Sequence, residues 1–149
     1  MKPGSHIYLL TFILIYLFTP STGLTEGGSK SSSGTDQLLA KADHARKTLL
    51  TSPDKIKYRD NWLKCISKYQ EIYENYPKSN QAPWALYQAA LLYRRLYKYS
   101  SLDKDLDNAL ILFKKLTDGY KDHRLADDGL YQRGDIYYRE KNDPAQAYV

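Results

Sequence analysis

Cysteine is almost absent from the sequence, which contains only Cys65. A chain with one cysteine cannot form an intramolecular disulfide, and it cannot bind a metal through several thiolates of its own. Cys65 lies on the apolar side of a predicted helix. We therefore expect it to be a small buried side chain rather than a reactive thiol.

Histidine is scarce as well, with only His6, His44 and His123. Zinc hydrolysis needs clustered His, Glu or Asp ligands and an open coordination position, and no His-Glu-x-x-His or similar spacing occurs. The sequence also has no glycine-rich phosphate loop and no Ser-His-Asp arrangement. Asp127-Asp128 begins a predicted helix, where acids interact favourably with the helix dipole. We expect no catalytic, metal-binding or cofactor-binding residue here.

The sequence also lacks a large excess of positive or negative charge. The formal net charge of +5 would fall to +4 if a signal peptide containing Lys2 and no acid were removed. Basic residues alternate with acids along the predicted helices, as on an ordinary solvated face. A nucleic-acid binder usually concentrates Lys and Arg on one face, so nucleic acid is not an expected partner.

The one long apolar run lies at the N-terminus, where residues 1–23 resemble a secretory signal. Lys2 gives a positive start, and twelve uncharged residues follow from Ile7 to Phe18. That run is shorter than the roughly 20 residues that cross a bilayer. We expect cleavage after Gly23, a periplasmic or secreted protein, and membrane contact only through the uncleaved signal. An uncleaved signal anchor is the alternative.

Apolar spacings of three and four residues predict helices through most of the remaining chain. Residues 24–35 are rich in Gly, Ser and Thr and are expected to form a flexible linker. The helical domain is then 36–149. Its helices are predicted at 36–50, 54–76, 81–99, 105–120 and 125–140, with a sixth starting at Pro144 and a polar connection at 100–104.

One helical pattern occurs twice within residues 62–138, with each second-copy residue 44 positions after its partner. Large residues match large ones and small residues match small ones. The pairs include Trp62 with Leu106, Cys65 with Ala109, Tyr69 with Phe113, Ala90 with Gly134 and Tyr93 with Tyr137. An internal repeat of two helices predicts an all-α solenoid of antiparallel helix hairpins, with five full helices and a truncated sixth. A solenoid without a polar cap suggests the N-terminal part of a longer protein or a truncated reading frame.

The repeat resembles the tetratricopeptide pattern of small residues, tyrosine, alanine, an aromatic residue and proline. The matching residues are Cys65, Tyr69 and Pro77, then Ala90, Tyr93, Ala109 and Phe113, then Gly134, Tyr137 and Ala147. Two departures are the connection at 100–104, which lengthens one repeat, and Lys121 in place of proline. The resemblance implies a divergent tetratricopeptide-like α-solenoid.

Longer segments resemble bacterial envelope proteins. The segments at 76–79, 82–87 and 125–131 are similar to outer-membrane assembly lipoproteins of the BamD type and Tol-Pal coordinators of the YbgF type. The segments at 59–66, 92–97, 105–106 and 125–128 resemble the repeat region ahead of some bacterial N-acetylmuramoyl-L-alanine amidases. That resemblance implies a zinc-dependent catalytic domain outside this chain.

A second aromatic and basic stripe gives the candidate binding surface. It runs along the third predicted helix and recurs on the fifth. Its residues are Trp84, Tyr87, Leu91, Arg94, Tyr131, Arg133 and Tyr138. Such side chains either pack on the neighbouring helix pair or line a groove for a peptide or glycan, and aromatic residues with arginine are typical of binding surfaces.

These observations favour three functions in order. The first is an exported scaffold that positions a peptidoglycan amidase in cell-wall remodelling, and the second is a stand-alone periplasmic adaptor of the YbgF or BamD kind. The third is a hydrolase in its own right. The expected partner is a protein or a peptidoglycan-associated molecule of the cell envelope.

Overall fold

The computed structural model describes residues 29–147, with side chains from residue 34, and all regular structure in that range is helical. The helices are α1 (Ser29–Leu50), α2 (Arg59–Asn75), α3 (Ala82–Ser100), α4 (Asp103–Gly119), α5 (Leu125–Arg139) and α6 (Pro144–Ala147), with a 3-10 turn at Lys55–Lys57. The predicted signal peptide lies outside the described residues. No helix within 29–147 combines the length and apolar character that a membrane crossing requires.

Each helix packs against the next one in sequence, and α3 also contacts α5. The arrangement confirms the predicted all-α fold of consecutive helix hairpins. Five helices are long and α6 has four described residues. Asp143 caps α6 by accepting a hydrogen bond on Oδ1 from the Gln146 backbone N–H at 3.2 Å, and Pro144 occupies its first turn as predicted.

Helix α1 begins at Ser29, seven residues before its predicted start, so residues 29–35 are helical rather than part of a linker. Thr35 explains part of the difference because it is buried, and its Oγ1 donates to Gln81 Oε1 at 2.9 Å. Gln81 Nε2 in turn donates to the Asp36 carboxylate. The Gly/Ser-rich composition gave no indication of these contacts with the start of α3.

Helix α2 begins at Arg59 instead of the predicted Asp54, because the chain first forms the 3-10 turn at Lys55–Lys57. Trp62 holds this turn against α2: its Nε1–H donates to the Ile56 carbonyl at 2.9 Å. Helix α2 ends at Asn75, before Pro77. Tyr76, four residues after the buried Ile72, is nevertheless 42% exposed at that end.

The predicted longer connection at 100–104 is wrong. Helix α3 continues to Ser100 and α4 begins at Asp103, so only two residues join them. Ser101 has φ of 53°, a left-handed conformation of the kind that ends helices, and its N–H bonds the Tyr97 carbonyl. The extra length of this repeat therefore lies in the 19-residue helix α3.

The core follows the predicted apolar stripes. The buried residues of α2 are Trp62, Cys65, Ile66, Tyr69, Ile72 and Tyr73, and those of α4 include Leu106, Ala109, Phe113 and Leu116. In α3, Tyr93 and Tyr97 are only partly buried. The periodicity thus locates the buried faces, and the errors fall on tyrosines, whose hydroxyl groups favour partial exposure.

The 44-residue correspondence has a structural counterpart at its small residues. Ala90 in α3 is fully buried, and Gly134 in α5 lies so close to α6 that an added Cβ would be 2.8 Å from the Ala147 carbonyl oxygen. Tyr87 and Tyr131 do not correspond in environment. Tyr87 packs edge-on against Phe113 in α4, whereas Tyr131 is 67% exposed beside the short α6.

We expect Ala90→Leu to destabilise the chain by about 1–3 kcal/mol, because the added atoms must force apart helices that already touch. Gly134→Leu is expected to cost less, since none of the described residues of α6 is buried and the helix can move away. The control is Lys104→Leu on an exposed site, which should change stability by less than about 0.5 kcal/mol. Circular dichroism melts measure all three. An Ala90→Leu variant that melts with the wild type would show that Ala90 is not at a helix crossing.

Candidate functional site

Alternate helices of the solenoid line a groove on its surface. The groove has a volume of about 410 Å³ and is formed by side chains of α1, α3 and α5. Its lining residues are Arg46, Leu50, Gln88, Leu91, Leu92, Arg94, Arg95, Lys98, Gln132, Asp135, Arg139 and Glu140. The helices α1, α3 and α5 are each the first helix of a hairpin. The groove therefore runs across successive hairpins as one surface.

Arg94 is the most highly connected side chain in the groove. Its guanidinium donates to Gln132 Oε1 at 2.6 Å, to Asp135 Oδ2 at 2.6 Å and to Glu140 Oε1 at 2.9 Å. Burial acts to lower the pKa of Arg94, but the bonds to Asp135 and Glu140 outweigh it and raise that pKa. The same pairing lowers the pKa of Asp135. Arg94 therefore holds α3 against α5 and has two acids to balance its charge.

Arg46 is fixed at the α1 edge of the groove by a second network. The Tyr69 hydroxyl donates to Asp43 Oδ1 at 2.7 Å, and Arg46 Nε donates to the same hydroxyl oxygen at 3.1 Å. Tyr69 has no exposed surface, and its burial raises the pKa of its hydroxyl group. A buried residue of α2 thus determines where the Arg46 cation lies.

The groove is basic and its floor is apolar. Five of its residues are cations (Arg46, Arg94, Arg95, Lys98 and Arg139) and two are acids (Asp135 and Glu140), giving a net charge of +3. Among the described residues, neither Arg95 nor Lys98 forms an ion pair, and both are exposed. Leu50 and Leu91, which are partly exposed, provide the apolar surface, and Leu92 lies buried beneath it. This combination suits a ligand that carries both negative charge and apolar groups.

The seven residues predicted for the binding surface do not come together. Leu91 and Arg94 line the groove. Trp84 and Tyr87 instead stack against each other, with ring centroids 6.4 Å apart, and Tyr87 continues to Phe113 at 5.8 Å. Tyr87 therefore packs against α4, and Trp84 contacts Tyr87 on its own helix; both lie against the core.

The three predicted residues of α5 lie elsewhere. Tyr131 and Tyr138 line a second, open pocket of about 250 Å³ with Leu130, Gly134 and Ala147, at the α6 end of the solenoid. Arg133 lines neither pocket, and its charge instead contributes to lowering the pKa of Asp118 in α4, after the larger effect of Lys114. The aromatic stripe of α5 is thus exposed but separate from the groove.

The sequence reasoning missed most of the groove, although part of its signal was available. Gln88, Leu91, Arg95 and Lys98 recur at spacings of three and four and so share one face of α3. The charges on that face resemble those of an ordinary solvated helix surface, so they do not by themselves indicate a groove. Arg46 and Arg139 could not have been assigned, since their place depends on how three helices pack.

A third pocket, of about 290 Å³, lies between α1 and α2 and reaches Cys65. His44, Lys64 and Lys68 are among its lining residues. Cys65 is 3% exposed, as predicted for a small core side chain, and burial raises the pKa of its thiol to about 11. Within the described part of the chain, no three His, Cys, Asp or Glu side chains lie where they could share a metal ion.

We expect the chain to lose stability as the pH rises above about 9. Burial raises the pKa of Cys65 from 9.0 to about 11 and that of Tyr73 from 10.0 to about 12. Between those values the folded chain holds more protons than the unfolded chain, so the free energy of unfolding falls as pH increases. Urea denaturation at pH 8, 9.5 and 11 measures the effect. In Cys65→Ala the loss of stability should begin nearer pH 10. A free energy of unfolding that stays constant from pH 8 to 11 would contradict the raised pKa values of Cys65 and Tyr73.

Comparison of the chain with protein-family models, with curated proteins and with solved structures gives no match.

Proposed function

We propose that the chain is an exported helical-repeat module that binds a partner protein, and that the concave groove is its binding surface. One observation carries the proposal: α1, α3 and α5 jointly present a leucine floor edged by cations, in a groove of about 410 Å³. Ligand sites of that size are common in proteins, and repeat proteins use extended concave surfaces for binding. A scaffold needs such a surface and no catalytic group.

The proposed setting is the bacterial cell envelope, in the periplasm or outside the cell. The signal-like residues 1–23 and the similarity of 59–66 and 125–128 to amidase repeat regions support it. In this proposal the chain is the N-terminal region of an N-acetylmuramoyl-L-alanine amidase and positions a zinc-dependent domain during cell-wall remodelling. The alternative is a stand-alone periplasmic adaptor. The DNA reading frame after Val149 separates them, since only the first requires an encoded amidase domain.

Site-specific photocrosslinking tests whether the groove is the binding surface. A photoreactive amino acid is placed at Leu91 in the groove, or at Lys64 on α2 as a control, in full chains produced in bacteria. Adducts with a defined envelope protein should form when the photoreactive amino acid is at Leu91 and not when it is at Lys64. A second control replaces Arg133, on the side of α5 towards α4, and should also give no adducts. Equal adducts from both sites, or none from Leu91, would overturn the proposal.

A further inference from the structure

We propose that the groove selects an extended acidic peptide, in which carboxylate side chains bind Arg95 and Lys98 while neighbouring apolar side chains pack on Leu50 and Leu91. This inference rests on the proposed function, because it names the chemical class of the partner segment for the same groove. It follows from which cations of the groove already have partners and which do not.

Most of the buried charge in the groove is already balanced. Arg94 has Asp135 and Glu140 at 2.6 and 2.9 Å, and Arg139 shares Asp135. The two acids are thereby occupied by these two arginines. Arg94 is thus a positioning residue that fixes the wall of the groove, and it is not free to bind a ligand anion.

The unbalanced charge lies on one face of α3. Arg95 and Lys98 are three residues apart and therefore neighbours on the helix surface. Both are exposed, and neither forms an ion pair with any described residue. An arginine can hold a carboxylate through two parallel hydrogen bonds, and the adjacent ammonium supplies a second positive charge. The pair is suited to one or two carboxylates presented side by side.

The rest of the lining favours a peptide over other anions. Among the residues whose side chains are described, 34–147, no Phe, Tyr or Trp lines the groove, although the chain has 15 tyrosines, so bases would find no stacking platform. A small inorganic anion would leave the leucines uncovered. A segment that alternates acidic and apolar side chains would satisfy both the cations and the apolar floor.

Fluorescence anisotropy with the full chain and three labelled 12-residue peptides tests the inference. The peptides share a leucine-containing frame in which the variable positions are all Glu, all Gln or all Lys. We expect the Glu peptide to bind at least about tenfold more tightly than the Gln peptide, with an affinity that falls as salt increases. The Lys peptide should bind most weakly.

Two double variants test whether Arg95 and Lys98 are responsible for binding the Glu peptide. Arg95→Glu/Lys98→Glu should weaken binding of the Glu peptide by about tenfold or more. Lys64→Glu/Lys68→Glu makes the same change in net charge on exposed residues of α2 and should leave binding nearly unchanged. Circular dichroism melts confirm that both variants fold, as expected for exposed sites.

The outcomes separate this inference from the proposed function. Equal binding of the Glu and Gln peptides, abolished by Leu91→Asp, would leave the groove as a peptide site and refute acidic selectivity. Equal loss in the two double variants would also refute it, because only net charge would matter. Failure of all three peptides to bind, together with no Leu91 crosslink, would refute both.

Discussion

Asp105→Ala is expected to lower the free energy of unfolding by about 3 kcal/mol, because it removes a buried carboxylate that accepts two hydrogen bonds, one of them from the partly exposed Arg59. The Asp105 carboxylate has no exposed surface. Its Oδ1 accepts from Arg59 Nη2 at 2.6 Å and its Oδ2 accepts from Ser100 Oγ at 2.6 Å. One side chain in the first turn of α4 thereby joins the start of α2 to the end of α3.

The matched control for Asp105 is Asp118→Ala, which removes an exposed carboxylate from α4. Asp118 pairs with Lys114 on the same helix, and both side chains are about 60% exposed. Exposed pairs of this kind contribute about 0–1 kcal/mol. Urea denaturation of the two variants measures the difference. Equal losses would show that the Asp105 cluster does not join the three helices.

Trp62→Ala is expected to cost about 3–5 kcal/mol, the range for removing a large aromatic side chain from a core. Trp62 is completely buried, and its ring centroid lies 5.2 Å from that of Tyr99 at the end of α3. Its indole N–H also bonds the Ile56 carbonyl, so the variant frees the 3-10 turn before α2. A cavity and a lost hydrogen bond therefore act together.

Trp84→Ala provides the comparison for Trp62, since it removes the same side chain from a partly buried site in α3. Trp84 contacts Tyr87 and packs at the edge of the core. Its removal should cost less than half as much free energy of unfolding as that of Trp62, because folding buries less of the apolar area of Trp84. Thermal melts rank the two variants. A larger effect at Trp84 would mean that the core lies on the other face of α3.

The helices and their buried faces were predictable because each is amphipathic and most are bounded by strong local signals. Pro77 ends α2, and Asp143-Pro144 starts α6. The start of α1 was not predictable, since Thr35 packs there through contacts with a residue 46 positions away. The short connection after α3 depends on Ser101 adopting a left-handed conformation, which serine does rarely.

The groove was predictable only in part. Leu91 and Arg94 were found from the face of α3, but their equivalents in α5 were assigned from the repeat alone. A repeat conserves a position on the helix, whereas burial also depends on the following helix. Tyr87 has α4 to pack against, while Tyr131 is 67% exposed and Tyr138 is 60% exposed. The pairing of Arg94 with Asp135 and Glu140 was not predictable from the sequence, because it depends on how α5 packs against α3.

The most direct measurement is a two-dimensional NMR titration of the labelled full chain with the Glu peptide, which reports where a ligand binds. The central claim is that the groove formed by α1, α3 and α5 is the binding surface. The largest shifts are then expected at the amides of Leu91, Arg95 and Lys98, with smaller shifts at the α1 and α5 edges. Shifts confined to the open pocket at Tyr131 and Tyr138, or to the lysines of α2, would contradict it.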